Sequence, residues 1–157
     1  MNKILVSDFK GAMRRLASGV AIAVASSSDG PIGMAATSIT SLTMEPPAIL
    51  LCVNQSASLH ACLTPGVPLS VSLLSRHQKD ISVAFGGGLP KEQRFSAGCW
   101  TADMHGIPML EEAQANMSCV IDSMFLFGTH SIVIARVNAL RLSDGIDPLI
   151  FQNGGYL

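Results

Sequence analysis

The chain has 157 residues, 48% of them hydrophobic and only 13% charged, with a formal net charge of -1. That length suits a single domain over residues 1–157 with a sizeable core, and the near-neutral charge, with no run of Lys or Arg, argues against a nucleic-acid partner. No apolar run approaches the roughly 18 residues of a membrane helix, and residues 1–10 lack a secretory pattern, so no membrane association and a cytoplasmic location are expected.

Ser7 is placed to cap a first helix running to about Ala17, with Phe9, Met13 and Leu16 on one face to pack on a sheet and Gly19 stopping the run. Val20 to Ala25 reads as a buried strand. A turn at Ser28-Asp29-Gly30-Pro31 then leads into a second strand from Ile32, a hairpin signal. Pro46-Pro47 ends the next loop and aims the chain into Ala48 to Val53, an all-apolar strand buried on both faces. Asn54 to Leu63 suits a short helix, Pro65-Gly66 a turn, and Leu69 to Leu74 another strand.

Arg76 to Phe85 predicts a helix with Ile81, Ala84 and Phe85 turned inward, released by Gly86-Gly87-Gly88 into a stretch of the kind that covers a site. Met117 to Leu126 and Ser131 to Leu142 read as long strands separated by Phe127-Gly128-Thr129-His130, and Leu149 to Phe151 as a last short one. Many strands, few short helices and no βαβ alternation predict a mostly β, antiparallel barrel with flanking helices. The apolar surplus predicts a subunit interface. Cys52, Cys62, Cys99 and Cys119 have no C-x-x-C pair and are expected as buried free thiols.

Gly33 to Thr43 sets several hydroxyls among apolar residues where a strand runs into a loop. Such a row can hydrogen-bond a planar heterocycle, though an ordinary Ser/Thr-rich loop has the same composition. Asn54-Gln55-Ser56-Ala57-Ser58 is placed to open a helix whose N–H groups attract a phosphate, or simply to cap it. His130 stands at a loop end, where it either contacts a ligand or is a structural loop histidine. His60, His77 and His105 have no assigned role, and no histidine pair has metal-ligand spacing, so no metal is expected. There is no G-x-S-x-G, P-loop, post-strand G-x-G-x-x-G or obvious carboxylate pair, which weakens hydrolase and Rossmann readings.

In order, Phe9-Lys10-Gly11-Ala12-Met13, Gly33 to Pro47, Cys52 to Ser58, Gln78 to Phe85, Arg94-Phe95, Cys99-Trp100, Gly106 to Leu110, Gly128-Thr129-His130 and Leu149 to Tyr156 span nearly the whole chain. Together they resemble the short-chain flavin reductases, the reductase components of two-component flavin-dependent monooxygenases such as 4-hydroxyphenylacetate 3-monooxygenase. The resemblance implies a split β-barrel (FMN-binding, flavin reductase-like), a homodimer, FMN or FAD in a groove near the interface, and NADH or NADPH as donor. It implies that Ala36, Thr37, Ser38, Ser41 and Thr43 line the flavin, that Asn54, Ser56 and Ser58 lie near its phosphate, and that Phe85, Arg94 and Phe95 close over it. Gly128 and His130 fall on the nicotinamide side, with Tyr156 as a neighbour and His130 positioning the nicotinamide.

Thr129 stands where many relatives have aspartate, and Lys10 where they often have arginine. The resemblance implies an NAD(P)H:flavin oxidoreductase supplying free reduced flavin to a monooxygenase, and hydride transfer between two stacked rings needs no side-chain acid or base. A non-catalytic flavin-binding protein on the same fold, or an amine oxidase of the pyridoxamine-phosphate type, remains the alternative.

Overall fold

A computed structural model describes residues 3–157. Helix α1 (Lys3–Met13) is followed by β1 (Ser18–Gly19), β2 (Ala21–Ser27), β3 (Gly30–Ala36), β4 (Ile39–Met44) and β5 (Pro47–Asn54). After a 3₁₀ turn at His60–Cys62 come β6 (Pro68–Leu73), a second 3₁₀ turn at Arg76–Gln78 and α2 (Lys79–Val83). A π turn over Ala84–Gly88 and a 3₁₀ stretch over Lys91–Ser96 lead to β7 (Trp100–Ala102) and β8 (Pro108–Leu110). The long strands β9 (Ala115–Phe127) and β10 (His130–Leu142) precede β11 (Ile150–Gln152) and β12 (Gly155–Tyr156).

Seven strands form one antiparallel sheet in the order β3-β2-β6-β9-β10-β5-β4. Its two edges, β3 and β4, are consecutive in the chain and joined only by Thr37 and Ser38. Laid flat, seven strands would hold their edges about 29 Å apart, whereas the link from Ala36 to Ile39 reaches only about 10 Å. The sheet therefore curls until its edges nearly meet without pairing: the strand pattern predicts an antiparallel barrel, and the split form is the one the resemblance implies.

Strand β2 shows why the barrel has two layers. Ala21, Ala23 and Ala25 face inward among Leu51, Val53, Leu69, Val71, Cys119, Ile121, Val133 and Ala135, and small side chains suit the crowded interior of a small barrel. Val20, Ile22 and Val24 pack outward against Leu74, Phe85, Leu110 and Leu149. The outer layer is tied down by a buried polar chain: Ser72 Oγ donates to Asn116 Oδ1 (2.6 Å), Asn116 Nδ2 to the Leu110 carbonyl (3.0 Å), and the Leu110 N–H to Ser72 Oγ (3.1 Å). Among the described residues no buried side-chain nitrogen or oxygen lacks a partner.

Several elements differ from the sequence reading. Helix α1 begins at Lys3 and encloses Ser7 instead of being capped by it, because Ile4, Leu5 and Val6 extend the helical run upstream. The apolar face expected to pack on the sheet is largely exposed, with Ile4 and Phe9 at 73% and 64%. The helix expected over residues 54–63 is reduced to the His60–Cys62 turn: Asn54 Oδ1 accepts both the Ser56 N–H and the Ser56 hydroxyl, each at 2.9 Å, and this local turn outcompetes a helix.

Arg76 to Phe85 is helical, as predicted, and opens with a capping box between Ser75 and Gln78. Gly87, at φ 110°, breaks it. Cys99 is exposed, contrary to expectation, whereas Cys119 is buried, and burial, followed by the charge of Asp103, pushes its thiol up to about 12. No helix among the described residues is long and apolar enough to cross a membrane.

Candidate functional site

The split in the barrel is also where its polar residues collect. Ala36, only 6% exposed, closes β3, and Thr37 and Ser38 cross to β4. Ser38 is pinned to β5 by two bonds: the Cys52 N–H donates to the Ser38 carbonyl and the Ser38 hydroxyl to the Cys52 carbonyl, both at 3.0 Å. Thr37 and Ser38 line a cleft of about 450 Å³ with Lys10, Met13, Arg14, Leu16, Ser18, Phe151, Gln152, Asn153 and Gly154. Two cations and no carboxylate line it, and neither Lys10 nor Arg14 is ion-paired among the described residues.

Arg14 is placed by the chain's other end. The β11–β12 turn reaches over the end of α1, where the Asn153 N–H donates to the Arg14 carbonyl and Gln152 Nε2 to the Arg15 carbonyl, both at 3.0 Å. Asn153 sits at φ 52°, a left-handed conformation that Asn tolerates. A cavity of about 220 Å³ adjoins the cleft through Thr37 and Phe151 and is lined by Val20, Ala35, Ala36, Ser82, Gly86 and Tyr156. In its wall the Tyr156 and Ser82 hydroxyls share a hydrogen bond of 2.9 Å, with Lys79 Nζ 5.6 Å from the Tyr156 ring centroid.

A second polar group stands at the same end of the barrel, where β5 stops and β10 begins. His130 pairs in register with Asn54, two residues beyond the Cys52 that holds Ser38. Asn54 therefore lies opposite His130 across the β5–β10 pair, Ser56 is bonded back to Asn54 Oδ1, and Ser58 follows two residues further along the turns. Since residues 55–59 form turns and no helix starts at Asn54, no helix dipole is available here for a phosphate. Gly128 has φ 57° in the β9–β10 turn, and Thr129 Oγ1 and His130 Nδ1 share a bond of 2.9 Å.

Other predicted residues lie apart. Ser41 and Thr43 run along β4 opposite Ile49 and Ala48, so Thr43 is on the order of 20 Å of strand from Thr37. Phe85 is 2% exposed, in a core cluster with Phe95 and Trp100 at ring-centroid distances of 5.0–5.2 Å. Arg94 Nη1 donates to the Gly33 carbonyl (2.9 Å) and its Nε to the Leu89 carbonyl (3.3 Å), clamping the outer layer onto β3. Residues the sequence reading passed over are Arg14, Gln152 and Asn153 at the cleft and Ser82 beside Tyr156. The signal for Arg14 is the helical spacing from Lys10, and the Asn153-Gly154 pair marks the β11–β12 turn, though nothing local says that this turn carries Gln152 and Asn153 to the cleft.

The sequence model described as the flavin reductase like domain matches residues 13–157. The FMN reductase (NADH) RutF of Stutzerimonas stutzeri (strain A1501) is 36% identical over 153 residues, 98% of this chain and 88% of that protein. The structure of the styrene monooxygenase flavin reductase of Pseudomonas putida S12 superposes with a TM-score of 0.86 at 30% identity, covering 96% of both chains. The NADH:FAD oxidoreductase SgcE6 of Streptomyces globisporus C-1027, solved with NAD and FAD fragments, superposes with a TM-score of 0.89 at 25% identity, covering 97% of this chain and 91% of that one.

The Tyr156–Ser82 pair can be tested by thermal melting. Tyr156→Phe deprives the buried Ser82 hydroxyl of its partner and is expected to cost about 1–2 kcal/mol, lowering Tm by roughly 2–8 °C, whereas an unchanged Tm would show the bond to be dispensable.

Proposed function

Since the chain belongs to the flavin reductase family, we propose that it passes hydride from NADH to FMN bound at the split of the barrel and releases the reduced flavin to a separate monooxygenase. The observation that carries the flavin site is the cleft lining: two cations without a carboxylate beside Thr37 and Ser38, in a space of about 450 Å³, within the usual range for small-molecule sites. That donor set suits a ligand with a phosphate at one end and a polar-edged ring at the other. When bound, the flavin supplies the hydride acceptor.

The chain's own residues bind, align and shield. Lys10 and Arg14 neutralise the phosphate, Met13, Leu16 and Phe151 give the ring apolar contact, and the Thr37 and Ser38 hydroxyls bond its polar edge. Asn54, Ser56 and Ser58, in and after the end of β5, offer further polar groups to the flavin, and His130, opposite Asn54 on β10, orients the nicotinamide. No residue is required to take up a proton from the nicotinamide, in keeping with a site without an acid–base pair. The relative named FMN reductase (NADH) supports FMN and NADH, and the styrene monooxygenase reductase supports a partner oxygenase. FAD and NADPH are the competing choices.

A second copy of the chain fits the apolar surface left bare on one. Phe125, Leu126 and Phe127 at the β9–β10 tip are 56%, 69% and 82% exposed, and Phe9, Leu16, Leu42 and Met44 are also open to solvent. Sedimentation should show a dimer, and a monomer at working concentrations would overturn this assignment.

The decisive assay mixes the purified protein with NADH or NADPH and excess FMN, FAD or riboflavin and follows nicotinamide absorbance. Catalytic turnover is expected, fastest with NADH and FMN. Flavin that co-purifies without turnover in any combination would instead identify a binding protein. Arg14→Ala should raise the KM for FMN about tenfold, the scale of one charge-assisted contact, and leave that for riboflavin, which lacks the phosphate, unchanged. Equal effects on both would remove Arg14 from the phosphate site.

A further inference from the structure

The turn that carries His130 is held by one residue just past the end of β5. Gln55 donates twice to it: its backbone N–H to the Thr129 carbonyl at 3.0 Å, and its side-chain Nε2 to the Gly128 carbonyl at 2.8 Å, across 73 residues of sequence. A carbonyl only accepts, so the amide must face it through nitrogen. The two successive carbonyls before His130 are thus both taken by a single residue, which fixes the tilt of the peptide from which the histidine projects. Just past the histidine, Ser131, only 4% exposed, shares a 2.8 Å bond with His60 Nε2. The segment from Gln55 to His60 therefore brackets residues 128–131 on both sides.

We infer that Gln55 is a positioning residue for the nicotinamide, acting through the Gly128–His130 turn. This rests on the assignment of His130 to the nicotinamide above. With His130 Nδ1 bonded to Thr129 Oγ1, its Nε2 is the nitrogen left to meet a ligand. Where that nitrogen points depends on the peptide that Gln55 holds. Hydride transfer tolerates little misalignment, so a turn tethered at both carbonyls favours a productive pose over a merely bound one. Gln55 touches no reacting atom and is not a catalytic residue.

Steady-state kinetics of Gln55→Ala, Gln55→Glu, His130→Ala and the double variant Gln55→Ala/His130→Ala test the inference. Gln55→Glu has nearly the same shape and keeps the backbone bond, but its carboxylate opposes the Gly128 carbonyl with an acceptor. Both Gln55 variants should raise the KM for NADH or lower kcat roughly three- to tenfold and leave the KM for FMN unchanged, and the double variant should be no worse than His130→Ala. Hydrogen exchange at residues 128–130 should quicken in Gln55→Glu while the β2 and β6 amides stay protected.

A defective His130→Ala beside unaffected Gln55 variants would overturn the Gln55 role alone. A His130→Ala enzyme with unchanged kinetics would overturn the His130 assignment on which it rests. Additive losses in the double variant, unchanged exchange at the turn, or a parallel rise in the KM for FMN would show Gln55 to be structural only. If Gln55→Ala fails to fold, Gln55→Glu and the exchange measurement carry the decision.

Discussion

Everything at the functional end of this molecule depends on the shortness of one connection. Thr37 and Ser38 must join the two edges of a seven-stranded sheet, and a link of about 10 Å leaves the sheet no choice but to curl. Edges brought so close yet left unpaired expose backbone polar groups that need partners. Ser38 answers part of that need through its paired bonds to Cys52. What remains open at the split is polar backbone and hydroxyl beside apolar residues, the surface a planar heterocycle with polar edges requires.

The link stays in place because the edge strand β3 is backed from outside. A Cβ on Gly33 would stand 2.7 Å from the Phe85 ring and 3.2 Å from the Ala23 carbonyl, so only glycine admits the aromatic cluster so close to the strand. Arg94 then bonds the Gly33 carbonyl, joining the 3₁₀ stretch to the same point. On this geometry the Phe85, Phe95 and Trp100 cluster is the buttress of the split, acting on it through β3.

Much of the fold was legible because its signals are local. The long strand-like runs of β9 and β10, the turn at Ser28-Asp29 and the apolar run into β5 each announce their element within a few residues. The two- and three-residue strands β1, β7, β8 and β12 are too short to carry a period and are defined by pairing alone: β1 with the distant β11, β7 with β8 and β12 with β11 across short turns. The site divides in the same way. Thr37, Ser38 and His130 lie in segments whose composition draws notice. Arg14, Gln152 and Asn153 become neighbours only when the β11–β12 turn folds back over the end of α1, and Gln55 acquires meaning only from the carbonyls opposite it. Phe85 and Thr43 show the converse: a residue in a suggestive stretch can be spent on the core or carried away along its strand.

The cleft draws its positive charge from a helix that the barrel itself hardly covers. Lys10 and Arg14 face the cavity, while Ile4 and Phe9 on the same helix stand in solvent. Should a partner bury that apolar side, the factor by which it changes the cleft's affinity for an anion equals the factor by which the anion changes the partner's. Anything that covered α1 and any anion held in the cleft would meet through the same few residues, Lys10 to Arg14.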